Sequence, residues 1–270
     1  MLNCIRYFRP VLANLLVVVF CTISYQNDSL QAKTKPKPDL SIDSLKTLLE
    51  KNDKNYFAQM AIASRYEKSG KLNEAAWHYK KAVSINPKSV EAYYKLGIIY
   101  KSLGHYSDAE NIYRIIITLD PYFIEAYNDL AFCYLHLQKY QLALNTSRTA
   151  ISLDSTSSKA YLYYGRAKAK QKDYIPALTA ITKSVKLNPK YALGYKFLGD
   201  IYITLKKYPE AISAYQKHIS FPEAEPIAFF RLGLIHIKQN QKKEATVVYQ
   251  KLKKISPRMS KKLLHRIEIM

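Results

Sequence analysis

The chain has 270 residues, 48% of them hydrophobic, and 42 Lys and Arg against 21 Asp and Glu set a formal net charge of +21. Seven glycines are too few for a turn-rich β fold or a glycine-lined nucleotide site, and the three cysteines form neither a CxxC pair nor a disulfide framework. The positive charge favours anionic surroundings, although a chain that simply prefers Lys reaches the same value.

The first 24 residues carry Arg6 and Arg9 followed by an apolar run from Val11 to Ile23. A short apolar run with basic residues only on its N-terminal side has the layout of a secretory signal peptide. Three outcomes fit: cleavage after Ser24, lipidation at Cys21, or retention of 1–24 as an N-terminal membrane anchor. The residue before Cys21 is Phe20, where a lipidation signal expects a small residue. Each outcome exports the remainder, to a periplasmic or membrane-associated site if the source is bacterial. Residues 25–40 include KTKPKP and read as an extended polar linker. Residues 41–54 predict a helix that caps the N-terminal end of the folded region.

From Tyr56 the chain repeats with a period of 34 residues and no insertion or deletion, giving units 56–89, 90–123, 124–157, 158–191, 192–225 and 226–259. Position 4 of the units reads Gln59, Tyr93, Tyr127, Tyr161, Tyr195 and Phe229. Position 8 is always small (Ala63, Gly97, Ala131, Gly165, Gly199, Gly233), and position 20 is always Ala (Ala75, Ala109, Ala143, Ala177, Ala211, Ala245). Positions 4, 7, 8 and 11 share one helical face, and positions 20, 24 and 27 share another. Pro87, Pro121, Pro189 and Pro257 stop the second helix, because proline lacks the amide hydrogen and clashes with the preceding turn. Pro176 and Pro209 fit a first helical turn instead. Small residues at positions 8 and 20 predict close approach of two paired helices, and the tyrosines at position 4 predict a packed ladder between successive pairs. Residues 260–270 predict a C-terminal capping helix with Leu263, Leu264 and Ile267 inward.

This pattern closely resembles the tetratricopeptide repeat family over residues 56–259. The resemblance implies an all-α fold, a right-handed superhelical solenoid of helix-turn-helix repeats, whose first helices line a concave partner-binding groove. Residues implied to line it are Tyr94, Ile98, Asn128, Phe132, Leu162, Arg166, Lys196, Asp200 and Phe230, with a charged middle and apolar flanks. Arg166 and Asp200 occupy equivalent positions in adjacent units, so mutual pairing is the bland alternative. An extended peptide or an amphipathic helix of a partner protein suits such a surface. The Lys/Asn set by which some family members grip a chaperone carboxylate is missing from any three consecutive units. Signal, tether and repeats together resemble small lipoproteins of bacterial envelopes that help to assemble pili or outer-membrane proteins.

Chemistry has little support in the sequence. The six histidines are scattered without metal-ligand spacing, and neither a GxSxG elbow nor a phosphate-binding glycine loop is found. No enzyme activity, metal or cofactor is expected. Cys133 lies within a helical repeat, where a buried inert thiol is expected. The second functional reading concerns the basic end: Lys253, Lys254, Arg258, Lys261 and Lys262 offer contact with an anionic membrane surface or polymer. Nucleic acid is the weakest candidate partner for an exported chain.

Overall fold

The computed structural model describes residues 40–269. The expected signal, the linker and Cys21 therefore lie outside the described residues. Among the described residues the fold is all-helical, with 14 helices and no strands. The chain divides between Leu103 and Gly104 into two compact units.

The first unit contains α1 (Ile42–Lys51), α2 (Tyr56–Lys68), α3 (Leu72–Ile85) and α4 (Val90–Ser102). Side-chain oxygens open three of these helices. Ser41 accepts from the Ser44 amide at 3.1 Å, Asn55 from Ala58 at 3.0 Å and Ser89 from Ala92 at 3.1 Å. Each bond satisfies an amide that the helix itself leaves without a partner. Leu45 of α1 is fully buried and packs with Ala58 and Ile62 of α2, so α1 covers the apolar face that the first pair would otherwise expose. The α2–α3 pair encloses two polar contacts. His78 and Gln59 are both buried and hydrogen-bonded at 2.7 Å, and the Tyr79 hydroxyl donates to Glu67 at 2.7 Å.

The second unit runs through α5 (Tyr106–Leu119), α6 (Ile124–His136), α7 (Tyr140–Leu153), α8 (Ser158–Lys170) and α9 (Tyr174–Leu187). It continues with α10 (Ala192–Thr204), α11 (Tyr208–Ile219), α12 (Pro226–Lys238), α13 (Lys242–Ile255) and α14 (Pro257–Glu268). Neighbours in sequence pack against each other, and α14 contacts both α12 and α13. The alanines at position 20 are all fully buried. Glycine at position 8 brings the paired helices together: a Cβ on Gly199 would lie 2.7 Å from the Tyr215 ring, and one on Gly165 would lie 2.5 Å from Ile181. Proline at the first or second residue starts α11, α12 and α14. Pro257 thus both follows α13 and begins the last helix, which buries Leu263 and Ile267. Cys133 is buried and forms no disulfide.

The turn that follows the first helix of each repeat needs one residue in the left-handed region. Gly70 and Gly104 take that place with φ of 75° and 77°, and the later turns use Gln138, Lys172, Lys206 and Asn240 at φ of 59°, 64°, 59° and 55°. Glycine alone occupies this region without steric cost.

The expected tyrosine ladder is corrected by the packing. Tyr93, Tyr127, Tyr161 and Tyr195 are only half-buried, and the fully buried tyrosines are Tyr79, Tyr113 and Tyr215 at position 24. A ring at position 24 projects from the second helix into the space left open by the small residue at position 8, as Tyr215 does over Gly199. At position 4 the rings sit nearer the surface. The Tyr127 hydroxyl donates to the Pro121 carbonyl at 3.0 Å, and the Lys183 ammonium lies 4.4 Å from the Tyr161 ring centre.

Candidate functional site

The groove residues expected from the sequence fall in both units. Tyr94 and Ile98 are half-buried on α4 of the first unit. The others belong to the first helices of successive pairs in the second unit: Asn128 and Phe132 on α6, Leu162 and Arg166 on α8, Lys196 and Asp200 on α10, Phe230 on α12.

Two of these face inward. Leu162 is fully buried and Asn128 is 5% exposed. A leucine gains from burial, whereas the lysine at the equivalent position in the next pair keeps its ammonium toward Glu225, at 2.5 Å. Asn128 donates through Nδ2 to Ser157 at 3.3 Å, and its Oδ1 finds no partner among the described residues. Lys196–Glu225 and Asn128–Ser157 are the same geometric contact, from position 5 to position 34 of one repeat. Phe230 is half-buried and packs on the terminal core.

A second regular contact links neighbouring repeats, from position 9 of one to position 6 of the next. Phe132 meets Tyr163 edge to face at 5.9 Å between ring centres. Arg166 lies with its guanidinium 4.4 Å from the Phe197 ring centre. Asp200 accepts from Arg231 and also from the buried Tyr215 hydroxyl. Arg166 and Asp200 therefore do not pair with each other; each reaches to the first helix of the next repeat.

The three rungs differ in chemistry. The Asp200 rung is a closed ion pair and the Phe132 rung is apolar. The Arg166 rung holds a cation between the rings of Tyr163 and Phe197, with no carboxylate among the described residues paired to it. Burial pulls its guanidinium below the usual arginine value, and the neighbouring Tyr163 and Tyr191 partly oppose this. The Tyr163 phenol is pushed well up by burial, with Tyr191 and Asp129 nearby adding to the effect. His136 stacks on Tyr106 at 4.4 Å and touches Phe132; burial and then the Arg166 charge hold its imidazole below the ordinary value. Desolvated cations beside aromatic faces gain about 2 kcal/mol from the rings.

Sequence reasoning missed the position 6 residues Tyr163, Phe197 and Arg231. The period does contain a clue to them. A side chain near the middle of one first helix lies beside the equivalent turn of the next, slightly offset, so positions 9 and 6 form natural pairs. Next to the Asp200 rung lies a cleft of about 630 Å³ between α10, the start of α11, and α12.

The basic C-terminal residues Lys253, Lys254, Arg258, Lys261 and Lys262 are all exposed on α13 and α14. Among the described residues no cluster of His, Cys, Asp and Glu can hold a metal, and no helix is long and apolar enough to cross a membrane.

Paired helices, small contact residues and a side-chain-lined face of first helices define a helical-repeat scaffold. Sequence models of tetratricopeptide repeats match residues 63–104, 90–123, 124–157, 165–225 and 227–258. The chain belongs to the tetratricopeptide repeat family, whose members are scaffolds that bind protein partners. No curated protein sequence matches the chain. Solved structures resemble it in fold. A tetratricopeptide repeat protein from Parabacteroides merdae is 22% identical, with 84% of this chain and 91% of that one covered and a TM-score of 0.68. Pseudomonas aeruginosa pilF is 17% identical over 79% of this chain and 98% of that one, with a TM-score of 0.64. YrrB, described as a tetratricopeptide repeat protein with an unusual peptide-binding site, is 19% identical over 70% and 97%, with a TM-score of 0.53.

Proposed function

We propose that the protein is an exported scaffold that holds a peptide or amphipathic helix of a partner protein on the first-helix face of its repeats, in the service of envelope assembly. The observation that carries this reading is the Arg166 rung, a desolvated cation held between aromatic rings and lacking a carboxylate, with Phe132 beside it half-buried. Half-buried aromatic surface next to a cation without a carboxylate partner has the aromatic and arginine content typical of a binding face. The N-terminal sequence supports export, by cleavage after Ser24, lipidation at Cys21 or retention as an anchor. The Lys/Pro linker would then let the repeats reach away from a bilayer.

A photo-crosslinking residue placed at Phe132, and separately at Lys183 on the outer helix α9, tests the reading in the native cell. An adduct of discrete mass at Phe132 alone is expected. Adducts at neither position, or equally at both, would remove the groove as the functional surface.

A second reading rests on one observation: α14 buries Leu263 and Ile267 and so turns Arg258, Lys261 and Lys262 outward. That basic end would contact an anionic surface or polymer. Such binding weakens steeply with salt, whereas a groove with apolar anchors persists.

A further inference from the structure

We infer that the cleft between α10, the start of α11 and α12 receives an apolar side chain of an acidic partner segment, whose carboxylates are held at its mouth by Lys206 and Lys238. The inference rests on the peptide-binding function proposed for the first-helix face and specifies the chemistry of what is bound.

The cleft is about 630 Å³, within the range of sites that enclose an organic ligand. Its apolar wall comes from Ile203, Leu234, Ile235 and Tyr208. Ile203 and Leu234 are half-buried rather than sealed in the core, so their outer surfaces remain available to an incoming side chain. The charges that line it are Asp200, Arg231, Lys206 and Lys238. Asp200 is already committed to Arg231 and the Tyr215 hydroxyl, so that acid and that arginine cancel. Two ammonium groups remain, and no carboxylate among the described residues pairs with either. Lys238 is held at the mouth by the Tyr208 ring, 5.2 Å from its centre, and Lys206 stands in the turn that joins α10 to α11.

An apolar wall with a net positive rim complements a segment that alternates Asp or Glu with Leu, Phe or a similar residue. The occupant is a different protein and not a second copy, because two chains of net charge +21 repel.

The test is selection of random dodecapeptides displayed on phage against the immobilised full chain, followed by anisotropy titration of the enriched peptides. Enriched sequences are expected to carry acidic residues flanking a large apolar one. Their affinity should fall at least tenfold with Lys206→Glu/Lys238→Glu, both exposed positions that leave the core untouched. It should fall equally when the acids of the peptide are replaced by Asn and Gln, a change that leaves the protein unaltered. Enriched peptides that lack acids, or that ignore the cleft variants but are lost on Phe132→Ala, would overturn the inference and leave the groove reading standing. Purely acidic peptides displaced by Lys253→Glu/Lys254→Glu would overturn it in favour of the basic end. A selection without enrichment would overturn both.

Discussion

Gly165 offers the sharpest test of how closely paired helices approach. In Gly165→Ala the new Cβ would lie 2.5 Å from Ile181 Cγ1 and 2.9 Å from the Ala177 carbonyl oxygen. The first atom belongs to a fully buried side chain, and the second is backbone of α9. Neither can give way without moving α9 relative to α8. Overpacking of this kind costs about 1–3 kcal/mol, while alanine in a helix interior returns about 1 kcal/mol relative to glycine. The net expectation is destabilisation of about 1 kcal/mol, or roughly 2–4 °C in a chain of this size. Gly233→Ala is the internal control. There the three nearest atoms are all side chain, Cδ2, Cδ1 and Cγ of the buried Leu263 at 2.6, 2.8 and 3.2 Å on the terminal helix, with no backbone atom among them. Its overpacking cost should be smaller and its helix-propensity gain the same, which leaves stability near that of the parent. Urea unfolding of the full-length variants, followed by far-UV circular dichroism, gives both values. A Gly165→Ala protein as stable as the parent, or a Gly233→Ala protein more damaged than it, would refute the claim that backbone proximity sets the α8–α9 spacing.

Two further expectations concern the turns and pH. Gly70 has φ of 75° and no atom within 4 Å of where a Cβ would stand, so Gly70→Ala isolates backbone strain; it should cost about 1 kcal/mol, and Lys172→Gly, at φ of 64°, should stabilise by a similar or smaller amount in the same unfolding assay. Burial, with a smaller contribution from the Lys46 charge, lowers the His78 pKa, and burial with the Arg166 charge lowers that of His136. The folded state therefore binds fewer protons than the unfolded chain just below about pH 6.5. The stability these neutral imidazoles contribute is fully present above that pH and is lost as pH falls through their folded values. His78→Gln with His136→Gln should flatten the decline in denaturation midpoint between pH 7.5 and 5. An unchanged decline would show that the two imidazoles do not carry it.

The all-helical class and the pairing of helices were legible in the sequence because both are local or nearly so. A period of 34 with Ala at position 20 and a small residue at position 8 repeats one short helical hairpin, and helical faces follow from spacings of three and four along the chain. The tertiary structure decided what each face touches. It turned Leu162 into the core and left Lys196 at the equivalent position facing Glu225. It also moved the buried aromatic role from position 4 to the position 24 residues Tyr79, Tyr113 and Tyr215. It joined position 9 to position 6 of the next repeat, so that Arg166 meets Phe197 and Asp200 meets Arg231. Those contacts depend on the offset between neighbouring hairpins. That offset comes from how whole helices pack, and no single 34-residue unit contains it.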